Sequence, residues 1–245
     1  SFFALMDEAP ETDDGYVTLV NCRIGPDGTI TETDEHTGNW AWRHPHGDGT
    51  LTYTELRGDV RMVDVDFAYE EGKQVLYDIS VYAEPGQQVA FVGFSGCGQS
   101  TIAKLISGLY DPWEGDVLFD GKPRREINRL LFVNSVSVVN QDITLFEGSV
   151  SDNIKMWDNS IDDTTMIAAA KAAQIHDDIA ERSGAYRSVV AENGKNFSGG
   201  QRQRIEIATA LAKKPTILVL DEATSALDNK AEAQVTDHLR QLGIT

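Results

Sequence analysis

From residue 60 onward the apolar positions fall into short, regular sets. Val63, Val65 and Phe67 alternate with Asp64 and Asp66, the period of two expected of a half-buried strand. Val75–Tyr82 predicts a second strand, and Gln88–Val92 a third that runs into a glycine-rich loop. The period then lengthens: residues 100–109 predict a helix, and Gly115–Phe119 returns to a strand. An alanine-rich stretch over 162–173, with helix formers continuing to Arg182, predicts a mostly helical unit. Residues 198–212 predict a long helix, Ile217-Leu218-Val219-Leu220 is an apolar run of the kind buried in a parallel sheet, and 230–241 predict a last helix. Strands alternating with helices imply an α/β fold.

Before residue 59 the pattern differs. Gly-Pro-Asp-Gly and His-Pro-His-Gly-Asp-Gly are turn signals in close succession, so residues 1–58 read as irregular, with short β-type pieces such as Tyr16–Val20. Trp40, Trp42, His44 and His46 read as an aromatic patch that packs a small insertion onto the main unit rather than as ligands. Acid is concentrated in this part: residues 1–71 carry −12 of the net charge of −18. That balance argues against a nucleic-acid groove, which needs a basic stripe. Cys22 and Cys97 fit no metal-ligand spacing, and a reducing cytosol is their natural setting. No run of 18 apolar residues and no signal peptide is present, so the chain reads as soluble as given; if it serves a membrane, the spanning part is expected elsewhere.

The candidate chemistry begins after the third expected strand. Gly93-Phe94-Ser95-Gly96-Cys97-Gly98-Gln99-Ser100-Thr101 lies between a strand and a helix, where backbone amides and the positive helix end cradle a phosphate. Ser100 is placed to offer a hydroxyl to Mg²⁺ and Thr101 to reach the α-phosphate. The P-loop pattern demands lysine where this chain has Gln99. Glutamine donates only a neutral hydrogen bond, worth about 0.5–1.5 kcal/mol against about 1.5–3 for a charged one. The expectation is retained binding and slow hydrolysis. Asp221 and Glu222 come directly after the 217–220 run, at the strand end where open α/β sheets hold ligands: one carboxylate for a metal shell, one to orient or deprotonate water.

Phe197-Ser198-Gly199-Gly200-Gln201-Arg202-Gln203-Arg204, followed by Asp221-Glu222-Ala223-Thr224-Ser225-Ala226-Leu227-Asp228, resembles the signature, Walker B and D-loop of ATP-binding-cassette transporter nucleotide-binding domains. The resemblance runs from about Asp59 to Thr245. It implies a P-loop NTPase core with a mainly parallel sheet, an antiparallel β-subdomain and an α-helical signature subdomain. It implies ATP and Mg²⁺ as cofactors, held by Tyr69 on adenine, by Gly93, Ser95, Gly96, Cys97, Gly98, Gln99, Ser100 and Thr101 on the phosphates, and by Ser100, Gln141 and Asp221 at the metal. Glu222 and Gln141 are the catalytic candidates, and Glu192 resembles the acid of the exporter X-loop. In this family Ser198, Gly199, Gly200 and Gln201 cap nucleotide bound to a second copy, and Asp228 lies at the same interface. A homo- or heterodimer is therefore implied, alongside the transmembrane domain of the same half-transporter.

Residues 102–211 resemble the bacteriocin and peptide exporter branch, and the first 90 residues a multidrug exporter branch. The resemblance thus implies an ATPase at the cytoplasmic face of the plasma membrane, with 1–58 a linker or insertion and 59–245 the nucleotide-binding domain. The switch histidine of relatives is expected beyond Thr245, and the chain reads as a fragment; His238, in the preceding helix, is expected to face solvent. Two functional readings stay open: a hydrolysing motor, and a degenerate nucleotide-binding half that needs a competent partner.

Overall fold

The computed structural model describes residues 17–35, 37–91, 98–124, 127, 132, 135–140, 142–221 and 226–245. Of the expected site residues, Gly93, Ser95, Gly96, Cys97, Gln141 and Glu222 lie outside them. The described residues between 17 and 58 are more regular than their turn-rich sequence implies. Strands β1 (Thr18–Ile24), β2 (Ile30–Glu32), β3 (Trp40–Pro45) and β4 (Leu51–Glu55) form an antiparallel sheet in the order β2-β1-β3-β4. The turn signals close its hairpins: the Asp27 and Asp48 carboxylates accept from the Thr29 and Thr50 amides, beside Gly28 and Gly49 at positive φ. β1 overlaps the β-type piece at Tyr16–Val20, whereas β3 was hidden because Trp40, Ala41 and Trp42 are all buried, which erases the period-two signal.

One face of this sheet, with Leu19, Trp40 and Trp42, joins the core formed by Val60, Met62 and Phe119. That matches the reading of the tryptophans as packing groups. The opposite face carries a small cluster of its own, Val20, Cys22 and Ala41, flanked by Ile30 and Tyr53. Asp120 fastens the junction: its carboxylate accepts from Trp42 Nε1 at 3.1 Å and from the amides of Arg57, Gly58 and Asp59 at 2.8, 3.1 and 2.8 Å.

A second antiparallel sheet has the order β6-β5-β7-β8, from β5 (Val60–Glu70), β6 (Lys73–Ala83), β7 (Glu114–Phe119) and β8 (Lys122–Pro123). The pairing of β5 slips repeatedly beyond Met62, and Gly115 is required there: a Cβ on it would lie 2.3 Å from the Val63 carbonyl oxygen. Residues 88–91, the described part of the expected third strand, form no strand, and Val89 and Phe91 are exposed. Among the described residues, parallel pairing is confined to β9 (Val136–Val139) and β12 (Ile217–Leu220). The far side of β12 pairs with Thr245, whose carbonyl accepts from Leu218 at 2.8 Å.

Helix α1 (Gln99–Ile106) follows the glycine loop. A helical unit comprises α2 (Val150–Lys155), α3 (Asp163–Ala172), α4 (His176–Ala180) and α5 (Gly199–Ala212), packed around Ile154, Ile175, Ile179, Ile205 and Ile207. Full burial of each such side chain contributes about 1.5–3 kcal/mol. A short β-bridge pairs β10 (Gly148–Ser149) with β11 (Val189–Val190) beside this unit. Side-chain caps start α2, α3, α5 and the last helix, α6 (Asn229–Gln241): Ser149, Asp162, Ser198 and Asp228. His238 is half-buried rather than solvent-facing, with Nδ1 2.8 Å from the Gln234 carbonyl oxygen and 3.4 Å from Gln174 Nε2.

Candidate nucleotide site

Gly98 precedes α1 with φ 96°, a conformation that L side chains avoid, and a Cβ there would meet Leu76 Cδ2 at 2.8 Å. The first turn of α1 therefore begins on a backbone that only glycine accommodates. Ser100, in that turn, donates its hydroxyl to Asp221 Oδ1 at 3.0 Å. Asp221 is fixed in turn by its own amide, which donates to the Val139 carbonyl at 2.9 Å and prolongs the β9–β12 pairing by one residue. The end of the parallel strand and the start of α1 thus meet through one hydroxyl and one carboxylate. Hard oxygen donors of this kind suit Mg²⁺.

Thr101 is buried, and its hydroxyl lies 2.9 Å from the Tyr69 phenol oxygen. Tyr69 packs edge-on against Phe67 and Tyr110, with ring centroids 5.0 and 5.3 Å away. It remains 44% exposed, so part of the side chain is open to a ligand. Lys104 Nζ sits 5.4 Å from the Tyr69 ring centroid. Gln99 Nε2 donates to the Phe91 carbonyl at 2.7 Å, so one of its two amide hydrogens is spent on the main chain.

A cavity of about 590 Å³ adjoins these groups, lined by Ser100, Lys104, Arg124, Asn140, Asp142 and Asp221 among others. The sequence reasoning did not single out Lys104 or Arg124. Lys104 was accessible to it, since residues four apart on a helix share a face and Ser100 lies one turn earlier. Arg124 directly follows β8 and pairs with Asp111, a contact with no local signature.

Ser198 and Gln201 sit together elsewhere, at the start of α5. The Ser198 hydroxyl accepts from the Gln201 amide at 3.1 Å, and Gln201 Oε1 accepts from the Ser198 amide at 3.0 Å. Gly199 and Gly200 lie against Ala226; a Cβ on Gly200 would come within 3.0 Å of its carbonyl oxygen. Gln203 Oε1 accepts from the Ala226 amide at 2.9 Å, which ties α5 to the segment leading to Asp228. Among the described residues, no hydrogen bond joins 198–201 to 98–101. Glu192 is exposed and pairs with Lys195 at 3.7 Å.

One further link runs from α5 to the loop after residue 141. Glu206 Oε1 accepts from the Thr144 amide at 3.1 Å. Burial pushes the Glu206 carboxyl above the usual carboxylate range, opposed by that hydrogen bond and by Lys213.

The ABC transporter family matches residues 76–225 of this chain. The chain is 41% identical over 193 residues to Multidrug resistance protein 1 of Entamoeba histolytica, covering 77% of this chain and 15% of that protein. It is 40% identical over 188 residues to the Beta-(1-->2)glucan export ATP-binding/permease protein NdvA of Brucella abortus, covering 77% and 31%. Against the ATP-dependent lipid A-core flippase of Saccharophagus degradans it is 42% identical over 186 residues, covering 76% and 32%. The chain therefore spans 15–32% of the length of these relatives. Among solved structures, a bacterial Atm1-family ABC exporter with ATP bound matches at a TM-score of 0.71 and 37% identity, over 76% of this chain and 33% of that one. No helix among the described residues is long and apolar enough to cross a membrane. The Ser100–Asp221 junction, the capped helix at Ser198 and a match over residues 76–225 agree in kind and in order, and this chain belongs to the ABC transporter family.

Proposed function

We propose that this chain is the ATP-binding, ATP-hydrolysing motor domain of an ABC exporter half-transporter, acting at the cytoplasmic face of a membrane to power export of a peptide or small molecule. The observation that carries the reading is the Ser100–Asp221 hydrogen bond, because it joins the two segments whose oxygens would hold Mg²⁺. The first-turn amides of α1 and the segment 93–98 would receive the phosphates, and the exposed part of Tyr69 the adenine. Gln141 would complete the metal shell. Bound Mg²⁺ would supply charge neutralisation for the phosphates; Glu222 would orient or deprotonate the attacking water. Ser198–Gln201 is separate from this junction and would serve the nucleotide of a second copy, so that two chains close head to tail. A transmembrane domain is the other expected partner, and nucleic acid is not one.

A second reading, a subunit that binds nucleotide and barely hydrolyses it, is favoured by one observation: the Gln99 amide is engaged by the Phe91 carbonyl. ATP turnover at saturating Mg-ATP separates the two. The shared core of both readings is tested by thermal melting. Ligand at about 100 times its Kd stabilises by about 2.7 kcal/mol, which for a chain of this size raises the melting temperature by about 5–10 °C. An unmoved melting temperature at millimolar Mg-ATP would sink the assignment.

A further inference from the structure

The segment that enters the signature helix is held from outside by a residue with no part in the nucleotide site. Arg182 follows α4, whose Ile179 is fully buried, and its amide donates back to the Ile179 carbonyl at 3.1 Å. Its guanidinium carbon lies 3.6 Å from the centroid of the Phe197 ring, and Nη2 donates to the Asn196 carbonyl at 2.8 Å. Asn196 is itself clamped: Nδ2 donates to the Val189 carbonyl at 2.7 Å, and Oδ1 accepts from the Ala191 amide at 3.0 Å. Phe197 is buried, its amide bonded to the Gly194 carbonyl at 2.9 Å. The next residue is Ser198, the cap of α5.

We infer that Arg182 is a positioning residue for the signature segment: by stacking on Phe197 and bonding the Asn196 carbonyl, it sets the place and direction of Ser198–Gln201. The inference rests on the reading that these four residues meet nucleotide carried by a second copy. The physical argument is one of geometry. Glycine at 199 and 200 leaves the turn after Ser198 without side chains of its own to hold it. Ala226 and the Ser198–Gln201 bonds hold it from the helix side, and on the entering side Phe197 is the nearest residue with a large side chain. A planar cation over a ring resists both sliding and rotation of that ring, and the additional hydrogen bond fixes the main chain one residue earlier. Arg182 touches neither Ser100 nor Asp221 among the described contacts, so its effect should fall on assembly of two copies and leave nucleotide binding by one copy alone.

The test uses the full chain with a saturating non-hydrolysable Mg-ATP analogue, following dimerisation by sedimentation and monomer affinity by titration with a fluorescent ATP derivative at low protein concentration. Arg182→Met is expected to weaken analogue-driven dimerisation about tenfold, in keeping with a cation–π contact of about 1–2 kcal/mol, with monomer affinity unchanged. Arg182→Lys is expected to recover part of the loss. Phe197→Leu, which removes the stacking and leaves the Asn196 bond, should weaken dimerisation less, and Arg182→Met with Phe197→Leu no further than Arg182→Met alone, because the stacking contact is shared. Should Arg182→Met not fold, Arg182→Lys and Phe197→Leu with their double variant make the same comparison. Dimerisation that is unchanged, losses that add in the double variant, or monomer affinity falling in step with dimerisation would each overturn the inference. A wild-type chain that binds the analogue and stays monomeric would instead overturn the head-to-tail reading, and this inference with it.

Discussion

Asp120 is the point at which the N-terminal sheet is most exposed to a single substitution. Asp120→Ala removes the acceptor for four donors at once: Trp42 Nε1 and the amides of Arg57, Gly58 and Asp59. Trp42 is only 2% exposed, so water cannot replace the lost partner, and an unsatisfied buried N–H costs about 1–3 kcal/mol. The three amides are nearer solvent and lose less, together about 1–2 kcal/mol. Asp120 also has φ 50°, where alanine is disfavoured by about 1–2 kcal/mol and asparagine much less. The expected total is about 3–7 kcal/mol for Asp120→Ala. For Asp120→Asn, which keeps one acceptor oxygen and tolerates the backbone, it is about 1–2 kcal/mol. Urea unfolding followed by tryptophan emission reads this directly, since Trp40 and Trp42 are buried whereas Trp113 and Trp157 are about half exposed. A loss below about 1 kcal/mol for Asp120→Ala, or equal losses for the two variants, would refute the reasoning.

Gln99→Lys is expected to tighten ATP binding about tenfold and to raise turnover, because a charged donor replaces a neutral one; unchanged binding isotherms and turnover would count against the P-loop role of residue 99. Glu206→Gln is expected to raise the melting temperature at pH 7 and to leave it unchanged near pH 4. The folded-state pKa of Glu206 is raised by burial, so its favourable contribution is complete below the usual glutamate range and is lost as pH rises through the raised value. The amide-bearing variant avoids that loss while still accepting from Thr144, and a gain that persists at pH 4 would contradict the assignment. Gly115→Ala is expected to cost more than about 4 kcal/mol, since the added Cβ lies 2.3 Å from one backbone oxygen at a φ of 81°; soluble protein with wild-type stability would contradict it.

The parts of the site that were legible are those made by residues close in sequence. Ser198 and Gln201 stand three apart, within the reach of a capping box, and the structure shows both bonds. The 217–220 run with Asp221 at its end needed only strand geometry to place the carboxylate. The failures have a common form. Gln88–Phe91 has the residues of a strand, yet a strand requires neighbours on its edges, and no local pattern supplies them. Trp40-Ala41-Trp42 is a strand whose two faces are both covered, so its alternation vanished.

Sequence alone placed the starts of α1, α3, α5 and α6 to within about a residue and gave the family the chain resembles, because backbone preferences, caps and short motifs act over a few residues. The tertiary structure decided which distant groups meet: Ser100 with Asp221, 121 residues apart, Trp42 with Asp120, and Arg182 with Phe197. Such pairings depend on how the loops between them close and on what else competes for the same burial, and neither is written in the order of neighbouring residues.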